Sequence, residues 1–189
     1  MDSSYKFLRK CLSRNDPASY DALRAKIQGR YRPNEIDPES ADLLVKLVAA
    51  NSKALPAKTP PYLRYHAFRM IHNSLPTSSR VRAAGTCPFC SAVDAAKHLF
   101  SECNVVRNAA TNVVRTTENT DILLTARWDD YRFRSELKKT DVSVLLAFAN
   151  AVWHSRQTTY PGSTIDSIAK LFTRNLKALT PKATTKRDR

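Results

Sequence analysis

Apolar residues recur at steps of three and four along nearly the whole chain, the spacing of helices that bury one face. Leu63, Ala67, Met70 and Ile71 form one such stripe, on a helix expected over residues 61–73 and stopped by Leu75-Pro76-Thr77. Leu43, Leu44, Leu47 and Val48 form another behind the start signal Asp37-Pro38, and Asp16-Pro17 opens an earlier helix through Tyr20, Leu23 and Ile27 to Gly29. Val105, Val106, Ala109, Val113 and Val114 predict a further helix. Asp141 is placed to cap the next, with Leu145, Phe148, Ala149 and Val152 inward. Ser163-x-x-Asp166 resembles a capping box and opens a last helix through Ile165, Ile168, Phe172 and Leu179. Only Asp121-Ile122-Leu123-Leu124-Thr125 reads as a short strand, and Leu55-Pro56 to Pro60 is a connector. The expected fold is all-α, a small helical bundle.

Composition narrows the function classes. With 189 residues and 42% apolar content the chain can build a real core. Three glycines against ten prolines, and no G-x-G-x-x-G, P-loop or G-x-S-x-G, remove the usual signatures of nucleotide folds and hydrolases. The uncharged run from Val142 to Trp153 falls short of the ~20 residues a bilayer span needs, so it predicts a buried helix. No apolar signal-peptide core follows Met1, and the chain reads as intracellular, in nucleus or cytoplasm, with no membrane partner.

A net charge of +14 calls for a polyanionic partner. The basic residues cluster: residues 43–93 hold seven Lys or Arg and no Asp or Glu, and residues 170–189 hold seven against Asp188 alone. The end of the chain, from Pro181, carries no apolar anchors and reads either as a solubilising tail or as a phosphate-contacting arm.

Cys87, Cys90, His98 and Cys103 stand in the order Cys-x-x-Cys, seven residues, His, four residues, Cys. Two thiolates on the tight Cys-Pro-Phe-Cys turn can grip one side of a metal, Asp94 can cap a short helix presenting His98, and Cys103 returns past its end. Four ligands of this softness suit one tetrahedral Zn2+, with no vacant position and therefore a structural role. Three other readings compete. A redox dithiol normally follows a strand, and Val81 to Thr86 is not one. A disulfide suits an intracellular chain poorly and leaves His98 unused. Buried, unliganded cysteines are the plainest alternative, and Cys11, beside Phe7 and Leu8, reads that way.

The stretch Arg69-Met-Ile-His72-Asn-Ser-Leu75-Pro76-Thr77-Ser-Ser-Arg80, followed by Cys87-Pro-Phe-Cys90 and Lys97-His98-Leu99-Phe100-Ser-Glu-Cys103, resembles the zinc-binding region of non-LTR retrotransposon reverse transcriptases. Trp153-His-Ser-Arg156 is similar to that family's later Trp-x-x-Arg. The likeness runs from Pro61 to Gln157; where the family often has Glu-Thr before the histidine, this chain has Asp94-Ala-Ala. The resemblance implies a nucleic-acid-binding module that in its relatives lies downstream of the polymerase, with a polymerase region as a second partner. It divides the chain into a helical segment 1–58, a reverse-transcriptase-type zinc-binding domain 59–157, and a C-terminal helix with basic tail 158–189.

Neither polymerase nor endonuclease chemistry is expected. Trp128-Asp129-Asp130 lacks the flanking strands and upstream carboxylate of a two-metal site, and Asp129 reads as a helix cap. No Ser, His and Asp grouping supports nucleophilic catalysis, so the chain reads as a binder and not an enzyme. Opposite the apolar stripe of the 61–73 helix, Tyr62, Arg64, Tyr65, His66, Arg69 and His72 are candidates for phosphate contact and base stacking. Arg80, Arg82 and Lys97 extend that surface toward the metal turn, while Trp153 and Arg156 read as a packing anchor and a surface cation. No base-reading pattern is evident, so binding to RNA or DNA is expected to be backbone-led. The alternative is a zinc-stapled protein-interaction module with an acidic partner or the polymerase region.

Overall fold

A computed structural model describes residues 38–78, 85–157 and 164–180. The expected Asp16-Pro17 helix, Cys11 and the basic tail lie outside the described residues. The chain forms α1 (Pro38–Ala54), α2 (Pro61–Ile71), a π-helical turn (His98–Glu102), α3 (Asn104–Thr116), the short α4 (Ile122–Thr125) and α5 (Trp128–Tyr131), α6 (Lys139–Gln157) and α7 (Thr164–Leu179). Among the described residues no strand occurs, only an isolated antiparallel bridge between Thr86 and Val93. The fold is all-α.

α6 is the central element. Its run from Val144 to Trp153 is buried on every side, because α7, α2, α4, α1 and α5 all pack around it. That explains why Val142 to Trp153 carries no charge: the helix has no face left for solvent. Phe148 meets Phe172 of α7 edge-on at 6.1 Å. Asn150 is buried within the same helix, where its side-chain oxygen accepts from Asn175 Nδ2 at 3.1 Å. A second bond from Asn175 Nδ2, to the Ala147 carbonyl at 3.2 Å, completes a polar tie in the α6–α7 seam. One core runs from Val48 to Leu179 and takes in α7.

α2 follows its pattern closely. Pro61 begins the helix where its missing N–H costs no bond, and Leu63, Ala67, Met70 and Ile71 are buried as their spacing dictates. The helix ends at Ile71, two residues before the expected stop. Asn73 adopts a positive φ of 45°. There the Asn73 N–H bonds Met70 O at 3.0 Å and the Ser74 N–H bonds Arg69 O at 2.8 Å, a left-handed closure that asparagine tolerates well.

Three local expectations are corrected. On α1, Val48 is buried and Leu47 half-buried as expected, but Leu43 is 58% exposed and Val45 and Asn51 are buried instead, the side chain of Leu44 lying outside the described residues. Asn51 is tied inward, its Nδ2 donating to Phe133 O at 3.1 Å and to Ser135 O at 2.8 Å. The strand expected at Asp121–Thr125 is the helical turn α4. Without a neighbouring strand, local bonds such as Ala126 N–H to Ile122 O at 2.9 Å satisfy its backbone. Asp141 lies in the first turn of α6 instead of preceding it, and its carboxylate reaches back to the Lys138 N–H at 3.4 Å. No helix among the described residues is long and apolar enough to cross a membrane.

Candidate metal centre

Cys87 and Cys90 sit on a turn pinched shut by the Thr86–Val93 bridge. The Cys87 N–H bonds Ala92 O at 2.6 Å, the Ser91 N–H bonds Cys87 O at 2.9 Å, and Ser91 takes a positive φ of 62° to close the loop. His98 and Cys103 bracket the π-helical turn, in which the Cys103 N–H bonds His98 O at 2.8 Å. The widened turn is what makes a five-residue step productive. In an α-helix that step would carry Cys103 about 140° around the axis from His98, onto another face.

The four side chains converge. One ligand atom from each of Cys87, Cys90, His98 and Cys103 lies within 4.8 Å of all the others. Cys87 and Cys103 sulfurs are 4.0 Å apart, Cys103 and Cys90 3.6 Å, and Cys90 Sγ stands 3.0 Å from His98 Nε2. Metal–sulfur bonds of ~2.3 Å in a tetrahedron set sulfur edges of roughly 3.8 Å, so the cluster has the dimensions of a tetrahedral site. The sulfurs are not bonded to one another: a disulfide would hold them at ~2.05 Å. Among the described residues no strand precedes the dithiol turn.

Cys87 and Cys103 are buried and Cys90 is exposed. Burial pushes the Cys87 thiol up and the Cys103 thiol to about 12, with the neighbouring Cys87 adding to the latter. At Cys90 slight burial is outweighed by the Ala92 N–H and by the Cys103 and Cys87 thiols, which lower it. Two thiols whose ionisation burial opposes, held against a third whose ionisation its neighbours favour, form a donor set that a cation's charge would complete. The cluster fits a metal ion.

Asp94 links this loop to the bundle. Its side chain is fully buried and does not cap the helix before His98, as the sequence suggested. Instead Asp94 Oδ2 accepts the Ser78 N–H at 2.7 Å and pairs with Arg156 Nη2 of α6, a pull toward a buried cation that outweighs a solvent-side cap. Arg156 is therefore not a surface cation: its side chain is only 16% exposed and its guanidinium lies 4.8 Å over the Trp153 ring. Gly85 fits beside Ser78 because it has no side chain; a Cβ there would meet Ser78 Cβ at 2.7 Å. Phe100 of the π turn stacks on Trp128 at 5.8 Å and tilts against Tyr131 at 5.6 Å, anchoring the far side.

No protein-family model, curated protein or solved structure matches the chain.

The predicted contact residues separate into three groups. Arg80 and Arg82 lie outside the described residues. Tyr65, 36% exposed, and Arg69 share one surface, with Arg69 donating to the Tyr65 hydroxyl and lying 4.7 Å over its ring. Lys97 is exposed and pairs with Glu102 at 3.1 Å. Tyr62 is exposed as well, at 43%, and the others turn away from solvent. His66 and His72 are buried, 4% and 5% exposed, because His66 sits three residues after Leu63 and so falls within the apolar stripe, while His72 packs on Phe68 at 4.4 Å. Arg64 is spent on the connector, its guanidinium donating to Thr59 O at 3.0 Å and to the Pro56 and Ala57 carbonyls. Asp129 is not the cap of α5: Asp130 accepts the Arg127 N–H at 2.6 Å and the Ser135 hydroxyl, which leaves that carboxylate structural.

Proposed function

We propose that the chain is a zinc-stapled helical module that binds nucleic acid, similar in role to the region downstream of the polymerase in non-LTR retrotransposon reverse transcriptases and without polymerase or endonuclease activity. The observation that carries this reading is the convergence of three thiols and one imidazole within 4.8 Å, on the spacing by which the sequence resembles that region. Three sulfurs and one nitrogen favour Zn2+ over harder cations, and Cys87, Cys90, His98 and Cys103 would all be its ligands. The metal would hold the loop closed and supply no reaction chemistry.

The net charge of +14 and the acid-free stretch over residues 43–93 supply the attraction to phosphate. Arg80, Arg82 and Lys97 border the metal turn in sequence, and Tyr65 with Arg69 adds a stacking surface. The test is binding of labelled RNA and DNA by the zinc-loaded chain across a salt series. Affinity should fall steeply with salt, and should fall further in an Arg80→Ala/Arg82→Ala variant or after chelation. Salt-independent binding, or none, would remove the reading.

A further inference from the structure

The basic and aromatic residues do not end at the metal segment. α2 carries no acidic residue, and Tyr62 and Tyr65 on its outer side are 43% and 36% exposed. Tyr62 touches α7, its hydroxyl 3.4 Å from Asn175 Oδ1, and the exposed Arg174 is the preceding residue of that helix. Electrostatics trace the same neighbourhood. His66 beneath the patch feels both Arg69 and His154, and the exposed His154 of α6 feels Arg174. The nearest acid on α7 is Asp166, two turns back from Arg174, or roughly 12 Å along the axis.

The geometry points to this α2–α6–α7 face as a platform for an unpaired nucleic-acid strand, with Tyr62 and Tyr65 stacking successive bases and Arg69 and Arg174 taking the phosphates. It rests on the nucleic-acid reading above and gives it a location and a strand state. The tyrosines are three residues apart, so their Cβ atoms stand roughly 5–6 Å from each other on one helix face, a step that suits splayed bases. A duplex keeps its base faces covered by stacking and could offer such rings only its ends. Arg69 is held in place by Tyr65, and that bond uses one of its guanidinium's five N–H donors. Arg174 is exposed, so phosphate can reach it from solvent. Stacking on the rings and contact with phosphates are open to either kind of strand, so RNA and DNA strands should bind alike.

Fluorescence anisotropy on the full zinc-loaded chain tests this, using one mixed-sequence strand as RNA, as DNA and as the matched duplex. Tyr62→Leu and Tyr65→Leu should each weaken single-strand binding roughly 5- to 150-fold, the range that loss of one base–aromatic stack produces. Tyr62→Phe keeps its ring and should bind like the parent chain, separating stacking from damage to the Asn175 contact, whereas Tyr65→Phe keeps its ring but releases Arg69 and should lose less affinity than Tyr65→Leu. Arg174→Gln, at an exposed position, should lower the salt slope by about 0.7, the value of one single-strand phosphate contact. If the parent chain binds nucleic acid but the leucine variants bind equally well, the platform is wrong and the broader reading stands. A preference for duplex also overturns the platform. If the parent chain binds none of the probes, both fall.

Discussion

Replacing Arg156 with methionine should destabilise the protein far more than its place near the end of α6 suggests. Asp94 is fully buried, and Oδ2 holds its two polar contacts, the Ser78 N–H at 2.7 Å and the Arg156 guanidinium. Oδ1 has no hydrogen-bond partner among the described residues. Arg156→Met therefore strands a carboxylate in a dry site with one N–H for company. Breaking a buried pair in this way costs about 3–5 kcal/mol, and the 16% exposure of Arg156 places the loss near the lower end. Methionine can still pack on Trp153, so lost packing contributes little. With a urea slope of ~2 kcal/mol per molar, the unfolding midpoint at saturating zinc should drop by about 1.5 M. Asp94→Asn/Arg156→Met removes both charges and keeps an acceptor for the Ser78 N–H, so it should recover at least ~2 kcal/mol over the single variant. A midpoint shift below ~0.3 M in Arg156→Met, or a double variant no better than the single, would refute the clamp.

Gly85→Ala should lower stability by about 1–3 kcal/mol, since the new Cβ meets Ser78, whose N–H is already tied to Asp94; thermal unfolding measures it, and an unchanged midpoint counts against the close approach. Asn51→Leu should cost about 1–3 kcal/mol in urea unfolding, because the Phe133 and Ser135 carbonyls lose their shared donor; a neutral result would mean that water replaces it. His66 is pushed down to about 3 by burial, with His154 and Arg69 adding to the effect, against 6.5 in the unfolded chain. The unfolded chain thus takes up the proton first, and the stability present above pH 6.5 is lost as pH falls toward 3, about 2 kcal/mol of it by pH 5. A His66→Met variant should lack that part of the acid slope, and parallel pH profiles for the two proteins would show that His66 does not carry it.

The helical bundle was legible because its period is written in single residue types. Leu63, Ala67, Met70 and Ile71 can only line one side of a helix, and Val142 to Trp153 has no polar face to show. The ligand set was legible for a related reason, since thiols and imidazole are scarce and their spacing is short. What escaped the sequence depends on partners far away in the chain. Asp94 and Arg156 are 62 positions apart, and nothing local to either reveals a buried pair. Asn51 is tied inward to carbonyls more than 80 positions away. His66 was readable, because three residues after Leu63 is a core position whatever the residue type. The π turn was not legible, because the His-x4-Cys spacing fits equally a short helix presenting His98 with Cys103 just past its end.

The central claim is that Cys87, Cys90, His98 and Cys103 hold one zinc ion that closes the fold. Elemental analysis of the purified chain, paired with its thermal unfolding, tests this most directly. One zinc per chain is expected, with Cys103→Ser losing it and the chelated protein losing its cooperative transition, because structural zinc contributes about 10–16 kcal/mol of apparent binding energy to folding. A metal-free chain that unfolds cooperatively, at the same midpoint with and without added zinc, would contradict it.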